Sequence, residues 1–456
     1  MKLYRACKKQ LNPDRGLASR KRLNLYLVIF LGILLLIPVF LAWADTAEDL
    51  QNKINQKDAD IAQLEQEINT YQAQLNDLGK QKSSLSVSLK ELDLTRKKLV
   101  TDIAVTQKKI DKTNLKIQSL NSDISDKEKT ISNNLESIKL EIRKTNEFEL
   151  DNILETLLSE NNFTIIWNDI DNIVAVREKV RADIIRLRQI KGQLEDTRKK
   201  TIDAKKELVT LKSKLADQQK IVIQNTNEKN KLLKQTKNSE TNYQKLLKER
   251  LAQRLAFEKE LRDYESQLQF ILDPSKLPRA GVLNWPLDNI YITQLFGKTV
   301  DSKRLYASGT HNGVDFRATV GTPVMAMADG IILGVGNTDL TCYSASFGKF
   351  IFIEYNNGLS STFGHLSLIK VYEGDQVKRG EVVGYTGNTG HTTGPHLHIS
   401  LYASQAAKME SRPSQACDGR IYRMPIAPIS AYLDALYYLP LYQASQLKLN
   451  ARGSTD

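Results

Sequence analysis

The chain has 456 residues, 26% of them charged and 7% aromatic. That is too long and too polar for one compact core, so domains of different character are expected. Of the formal net charge of +12, residues 1–23 carry +7, with eight basic side chains (Lys2, Arg5, Lys8, Lys9, Arg15, Arg20, Lys21, Arg22) against Asp14; an excess placed just before an apolar run fits positive-inside orientation and excludes nucleic acid as the expected partner.

The apolar run extends from Leu25 to Ala44 without a charge, and Asp45 closes it. At about 1.5 Å of rise per residue such a run can span a bilayer. Residues 24–44 therefore read either as an uncleaved transmembrane anchor behind a basic cytoplasmic segment, 1–23, or as a signal peptide, since Pro38 interrupts the helix and Ala42-Trp43-Ala44 has the small-x-small form of a cleavage site. In both readings the chain after Asp45 lies outside the cytoplasm.

From Leu50 to about Lys144 there is no proline and one glycine, Gly79. Apolar residues recur every seven positions: Ile54, Ile61, Ile68, Leu75, then Leu89, and Ile103 through Ile138, broken by Lys82 and Arg96. Leu64, Tyr71, Leu78, Leu85, Leu92 and Leu99 fill the complementary position, giving the a/d seam of a coiled coil. A fainter seam follows after residue 183, on Leu187, Leu194, Leu208, Leu215, Val222 and Tyr243. Residues 45–145 and 183–272 thus read as two arms of about 90 residues, each roughly 135 Å long if wholly helical. Equal arms favour an antiparallel hairpin within one chain; parallel pairing in a homodimer is the competing arrangement.

Between the arms, residues 146–182 form the expected tip, with Phe148, Ile153, Leu157, Phe163, Ile166 and Trp167 in excess of what a two-stranded seam buries, and Ser159 to Asn162 as a break between short helices. These side chains either pack the turn or dock a partner. Asp273-Pro274 and Leu277-Pro278 open a linker, 273–282, because proline cannot continue a helix. Beyond it the chain turns to short β-rich runs between glycines: Pro323–Met327, Gly330–Val335, Lys349–Tyr355, Glu381–Tyr385 and His396–Tyr402. The expected fold is therefore multidomain, a long α-helical coiled-coil hairpin followed by an all-β domain of antiparallel sheet at 283–403 and a C-terminal extension, 404–456.

All five histidines fall between positions 311 and 398. His311 and Asp315 share parity, as do His396 and His398, so on extended segments each pair leaves one face. With His365 these residues make a plausible metal pocket, and two imidazoles with a carboxylate form a sensible catalytic zinc set with its fourth position open. Zinc so held polarises a carbonyl and activates water, while unligated histidines shuttle protons or stabilise an oxyanion.

Five motifs then carry a family resemblance: Gln294-Leu295-Phe296-Gly297, His311 to Asp315, Gly321 to Ala326, Phe363-Gly364-His365-Leu366, and Thr389 to His398. The stretch from Trp285 to about Tyr402 resembles the lysostaphin-type (LytM) zinc metalloendopeptidases of bacterial cell walls. Carried over residue by residue, the resemblance implies that His311, Asp315 and His398 bind zinc, that His365 and His396 are the unligated catalytic pair, and that the substrate is a peptidoglycan peptide. Tyr306 is a further candidate for an oxyanion contact, and His391 is expected to be incidental. The hairpin looks like that of the EnvC-type hydrolase activators, which implies an FtsX-like membrane partner at the tip, with Phe163 to Val176 as its candidate docking segment. Two other classes stand beside the peptidase reading: a non-catalytic activator or scaffold, whose signature would be lost metal ligands, and a thiol hydrolase using Cys342, which leaves Asp315 and the His396–His398 pair unexplained. Cys342 and Cys417, both in the exported part, are expected to form a disulfide; Cys7 precedes the apolar run and should stay reduced.

Overall fold

The computed structural model describes residues 47–78, 81, 84–150, 163–298, 309–443 and 445. The anchor or signal segment, Tyr306, and Ile153 and Leu157 of the tip lie outside them. Among the described residues no helix is long and apolar enough to cross a membrane. The chain divides after Gln56; of the first unit only 47–56, the start of helix α1 (Ala47–Leu78), is described.

The first heptad arm is not one helix. It breaks after Leu78, in the stretch that contains its only glycine, and α2 (Leu85–Leu150) begins where Ser84 Oγ accepts Val87 N–H at 3.2 Å. The chain folds back there, so that the 57–78 part of α1 lies against α2 through Lys108–Asp60 (2.7 Å) and Lys109–Glu65 (3.1 Å). α3 (Phe163–Thr236) pairs with α2 in opposite direction: Lys179 reaches Glu141, Thr197 reaches Asp123 and Lys229 reaches Asp93. Partners that move forward on one helix and backward on the other require an antiparallel pair. Lys237 and Asn238, both in the left-handed region, end α3, and Ser239 caps α4 (Glu240–Gln267).

The β domain is built on a sheet of order β1-β2-β10-β6-β5-β4-β8, with β13 added to β10. Its strands are β1 (Ile292–Gln294), β2 (Val314–Arg317), β4 (Gly330–Asn337), β5 (Lys349–Tyr355), β6 (Leu359–Gly364), β8 (Gln376–Val377), β10 (His396–Ala403) and β13 (Tyr432–Leu433). A three-stranded sheet, β3 (Pro323–Met325), β9 (Val382–Thr386) and β7 (Leu366–Ile369), faces it, and β11 (Lys408–Pro413) pairs with β12 (Ile421–Ile426) as a hairpin. Every pairing is antiparallel. Val314, Phe316, Ile351, Ile353, Phe363, Leu397, Ile399 and Leu401 alternate into one fully buried core, each contributing roughly 1.5–3 kcal/mol.

The segment after Ala403 is no appendage. Ala435, Tyr438 and Leu439 enter that same core, Leu283 N–H donates to Tyr438 O (2.9 Å), and Cys342–Cys417 closes with a Cα separation of 5.6 Å. The helices also rest on the domain. Leu99 of α2 and Ile221 of α3 pack on Tyr385, whose hydroxyl donates to Asp217 at 3.0 Å.

Candidate metal centre

The register of β10 assembles the site. His398 stands opposite Asp315 on β2 and opposite Gly364 at the end of β6, so a single central strand brings the Asp315 carboxylate beside one histidine and delivers the chain into His365. His311 lies just before β2, where its backbone exchanges two 2.9 Å hydrogen bonds with Gly297. Gly313 must be glycine: a Cβ there would lie 2.3 Å from Ile399 O and 2.7 Å from the His398 ring.

Three donor atoms converge. His398 Nδ1 is 2.9 Å from Asp315 Oδ1, His311 Nε2 is 3.3 Å from the same oxygen, and the two imidazole nitrogens are 3.2 Å apart. Among the described residues this is the one group of three such side chains able to hold a metal ion. His365 and His396 stand alongside, their rings 4.6 Å apart, with His396 Nε2 at 3.6 Å from Asp315. All five residues singled out from the sequence therefore meet in one place.

Backbone carbonyls set the ring orientations. Nδ1–H of His311 donates to Leu295 O (2.9 Å), that of His365 to Thr389 O (2.8 Å), and that of His396 to Gly394 O (2.8 Å), which turns each Nε2 inward. His398 is reversed: its Nδ1 faces inward and its Nε2 meets Ser400 Oγ at 2.9 Å. Ser400 escaped the sequence reading, although its parity with His398 on a strand was a usable signal. His365 also adopts φ +62°, a left-handed conformation rare outside glycine that persists only where the surroundings enforce it.

The electrostatics favour a cation. Burial pushes the Asp315 carboxyl up, but His311, His396 and His398 outweigh it and hold the group well below the usual carboxylate range. Burial lowers His311, yet Asp315 and the Leu295 carbonyl raise it overall. Burial, followed by His396 and His398, holds His365 well below the usual imidazole range, so that ring is neutral. His398 is lowered too, chiefly by burial.

Over these residues lies a cavity of about 530 Å³, and one wall of it is α4, through Glu258, Leu261, Arg262 and Glu265. Glu258 Oε1 comes within 2.6 Å of His391 Nδ1, so the histidine expected to be incidental contacts the helix that covers the site. Phe257 seats in an apolar socket of Cys342, Phe350, Cys417, Tyr422 and Met424, edge-on to Tyr422 at 5.2 Å. Tyr264 donates to Glu410 (2.8 Å), Ser414 Oγ and Ala416 N–H donate to Glu260 (3.0 Å each), and Tyr432 donates to Glu265 (2.7 Å). Cys342 is thereby accounted for as a structural cysteine, which removes the thiol hydrolase.

Two imidazoles and one carboxylate, flanked by two further imidazoles, form the donor set of a zinc metallopeptidase. Residues 309–410 match Peptidase family M23. The peptidoglycan DD-endopeptidase ShyA of Vibrio cholerae is 40% identical over 91 residues, 20% of each chain. The glycyl-glycine endopeptidase ALE-1 of Staphylococcus capitis is 44% identical over 92 residues, 20% of this chain and 24% of its own. Among solved structures, the catalytic domain of lysostaphin from Staphylococcus simulans shares 26% identity, with 33% of this chain and 91% of that one covered at a TM-score of 0.24. The curated relatives are matched over only 19–31% of their own lengths. Zinc is the cofactor of this family, and the observed donors fit it.

Proposed function

We propose that the protein is an extracytoplasmic, zinc-dependent endopeptidase that cleaves peptide bonds in peptidoglycan stems or cross-bridges. The observation that carries this reading is the intact set of His311, Asp315 and His398 beside a neutral His365 with its Nε2 turned inward. Zinc supplies polarisation of the scissile carbonyl and an activated water. His311, Asp315 and His398 hold it, and Leu295 O and Ser400 fix the ring orientations of the two histidines. His365 Nε2 is free to take a proton from the attacking water and to return it to the departing amine. His396 Nε2, near Asp315, is placed beside the developing oxyanion and donates to it in the form of the ring that carries a proton on both nitrogens.

In this reading α4 restrains the enzyme, because a substrate peptide must enter the cavity that α4 walls. A partner at the far end of the hairpin would release it. Trp167, Leu135, Leu140 and Ile142 are exposed towards that end, which suits an FtsX-like membrane protein in cell-wall remodelling or division. Residues 24–44 would keep the chain at the membrane if uncleaved. The covered site also suits the second reading, a non-catalytic activator or scaffold, against which the unsubstituted ligands weigh. Peptidoglycan digestion by residues 45–456 and by the same chain with α4 released through Phe257→Ala, scored for new amine ends, decides between them; unchanged partner pull-down after Phe163→Asp and Trp167→Asp would remove the tip from the account.

A further inference from the structure

The strained backbone of His365 raises the question of what enforces it. Its backbone N–H donates to Phe347 O at 2.7 Å and its ring Nδ1–H to Thr389 O at 2.8 Å. Neither carbonyl belongs to a strand. Phe347 lies in the loop 338–348 between β4 and β5, which also carries Cys342, and Thr389 lies in the loop between β9 and β10. The orientation of His365 therefore depends on how firmly those two loops are held together.

A carboxylate joins them, beside His391 N–H donating to Ser346 O (2.8 Å) and Ser344 Oγ donating to Gly390 O (3.3 Å). Asp339 Oδ1 accepts Ser344 N–H at 2.7 Å, closing its own loop, and Asp339 Oδ2 accepts Gly390 N–H at 3.0 Å, across to the other. The loops are in close contact at this point, since a Cβ on Gly390 would fall 2.2 Å from Gly348 N. Thr389 is pinned on its other side as well: its Oγ1 accepts Lys349 N–H and donates to Leu366 O, both at 2.9 Å. We infer that Asp339 is a positioning residue for His365, holding the Thr389 and Phe347 carbonyls where they fix the histidine's backbone and ring. Asp339 lies about 50 residues from Gly390 and belongs to none of the motifs read from the sequence. The role rests on His365 being a working group of the site proposed above.

Both Asp339 oxygens act as acceptors for backbone N–H groups, and an amide offers only one acceptor. Asp339→Asn therefore turns an NH2 against one of those N–H groups at little change in volume. The test uses the full chain, zinc-loaded, with its histidines labelled with 15N, and reads the ring nitrogens by NMR. The expected result is selective: the His365 Nδ1–H signal broadens or shifts towards a tautomer mixture, while zinc content and the ring signals of His311 and His398 stay as in the parent. Thr389→Val, which removes the second pin, should disturb the same ring. On a soluble peptidoglycan fragment, Asp339→Asn should lower kcat by about tenfold, the usual loss on removing an outer-shell partner, with KM within about twofold. An unchanged His365 signal in Asp339→Asn overturns the inference. So does a loss of order at all five histidines together, which is what a merely structural residue would cause. If neither the parent nor its Phe257→Ala form cleaves anything, the peptidase reading fails, but the NMR comparison still decides the role of Asp339.

Discussion

Phe257→Ala tests whether α4 restrains the site. Phe257 is 1% exposed, and its socket belongs wholly to the β domain: the disulfide, Phe350, Tyr422 and Met424. Truncating such a phenylalanine costs about 3–5 kcal/mol, transfer and cavity together. The loss falls on the docked form of α4, because an undocked helix would leave the same side chain in water. At about 1.4 kcal/mol per factor of ten, the ratio of docked to undocked helix falls by about two to three and a half orders of magnitude. The other contacts of α4, among them Glu258–His391, Tyr264–Glu410 and the half-buried Leu261 and Leu268 on the same cluster, are common to both forms and leave that change in the ratio in place. The assay is amine release from purified peptidoglycan by the exported chain, with limited proteolysis of α4 as the readout of undocking. We expect faster proteolysis in α4 and at least tenfold faster amine release than the parent. A helix released by proteolysis criteria with no gain in amine release would refute the restraint.

Other outcomes follow from single contacts. Gly313→Ala places a methyl group against Ile399 O and the His398 ring; overpacking there should cost about 3 kcal/mol and lower zinc affinity, measured by chelator competition. Burial raises the Glu265 carboxyl to about 7, against hydrogen bonds from Tyr432 and Ala427. A folded-state value above the unfolded one makes its contribution greatest at low pH and lost as pH rises from about 4.5 to 7, about 3 kcal/mol in all. Glu265→Gln should therefore flatten thermal stability between pH 5 and 7.5, where the parent declines. Cys342→Ser with Cys417→Ser should cost about 2–4 kcal/mol and loosen Phe257's socket, read as earlier melting and easier proteolysis of α4.

The strands with alternating or continuous apolar runs, β3, β4, β5, β9 and β10, were legible because periodicity reports burial. β6 was not among the runs read from the sequence, since Ser360, Ser361 and Thr362 interrupt its apolar pattern. They are fully buried nonetheless, with Ser361 and Thr362 hydrogen-bonded to Tyr355 and Tyr402. The five site residues could be found by spacing and motif, because they sit on or beside strands whose parity is fixed. His391 could not, because its partner Glu258 is 133 positions away on a helix whose pattern speaks only of helix packing. The break that folds α1 back on α2 hid behind a seven-residue repeat that continues across it, while the lone glycine marked the place. The Cys342–Cys417 pair already tied the C-terminal segment to the domain, but Ala435, Tyr438 and Leu439, which complete the main core, show no long periodic run that would have placed them there.

The most direct measurement of the central claim is zinc content together with new amine ends on peptidoglycan, taken on the exported chain, its Phe257→Ala form and its Asp315→Asn form. The account predicts one zinc per chain in the first two, amine release that rises with Phe257→Ala, and neither zinc nor release with Asp315→Asn. Peptidoglycan left uncut by a zinc-loaded Phe257→Ala protein, or cut equally well by Asp315→Asn, would contradict it.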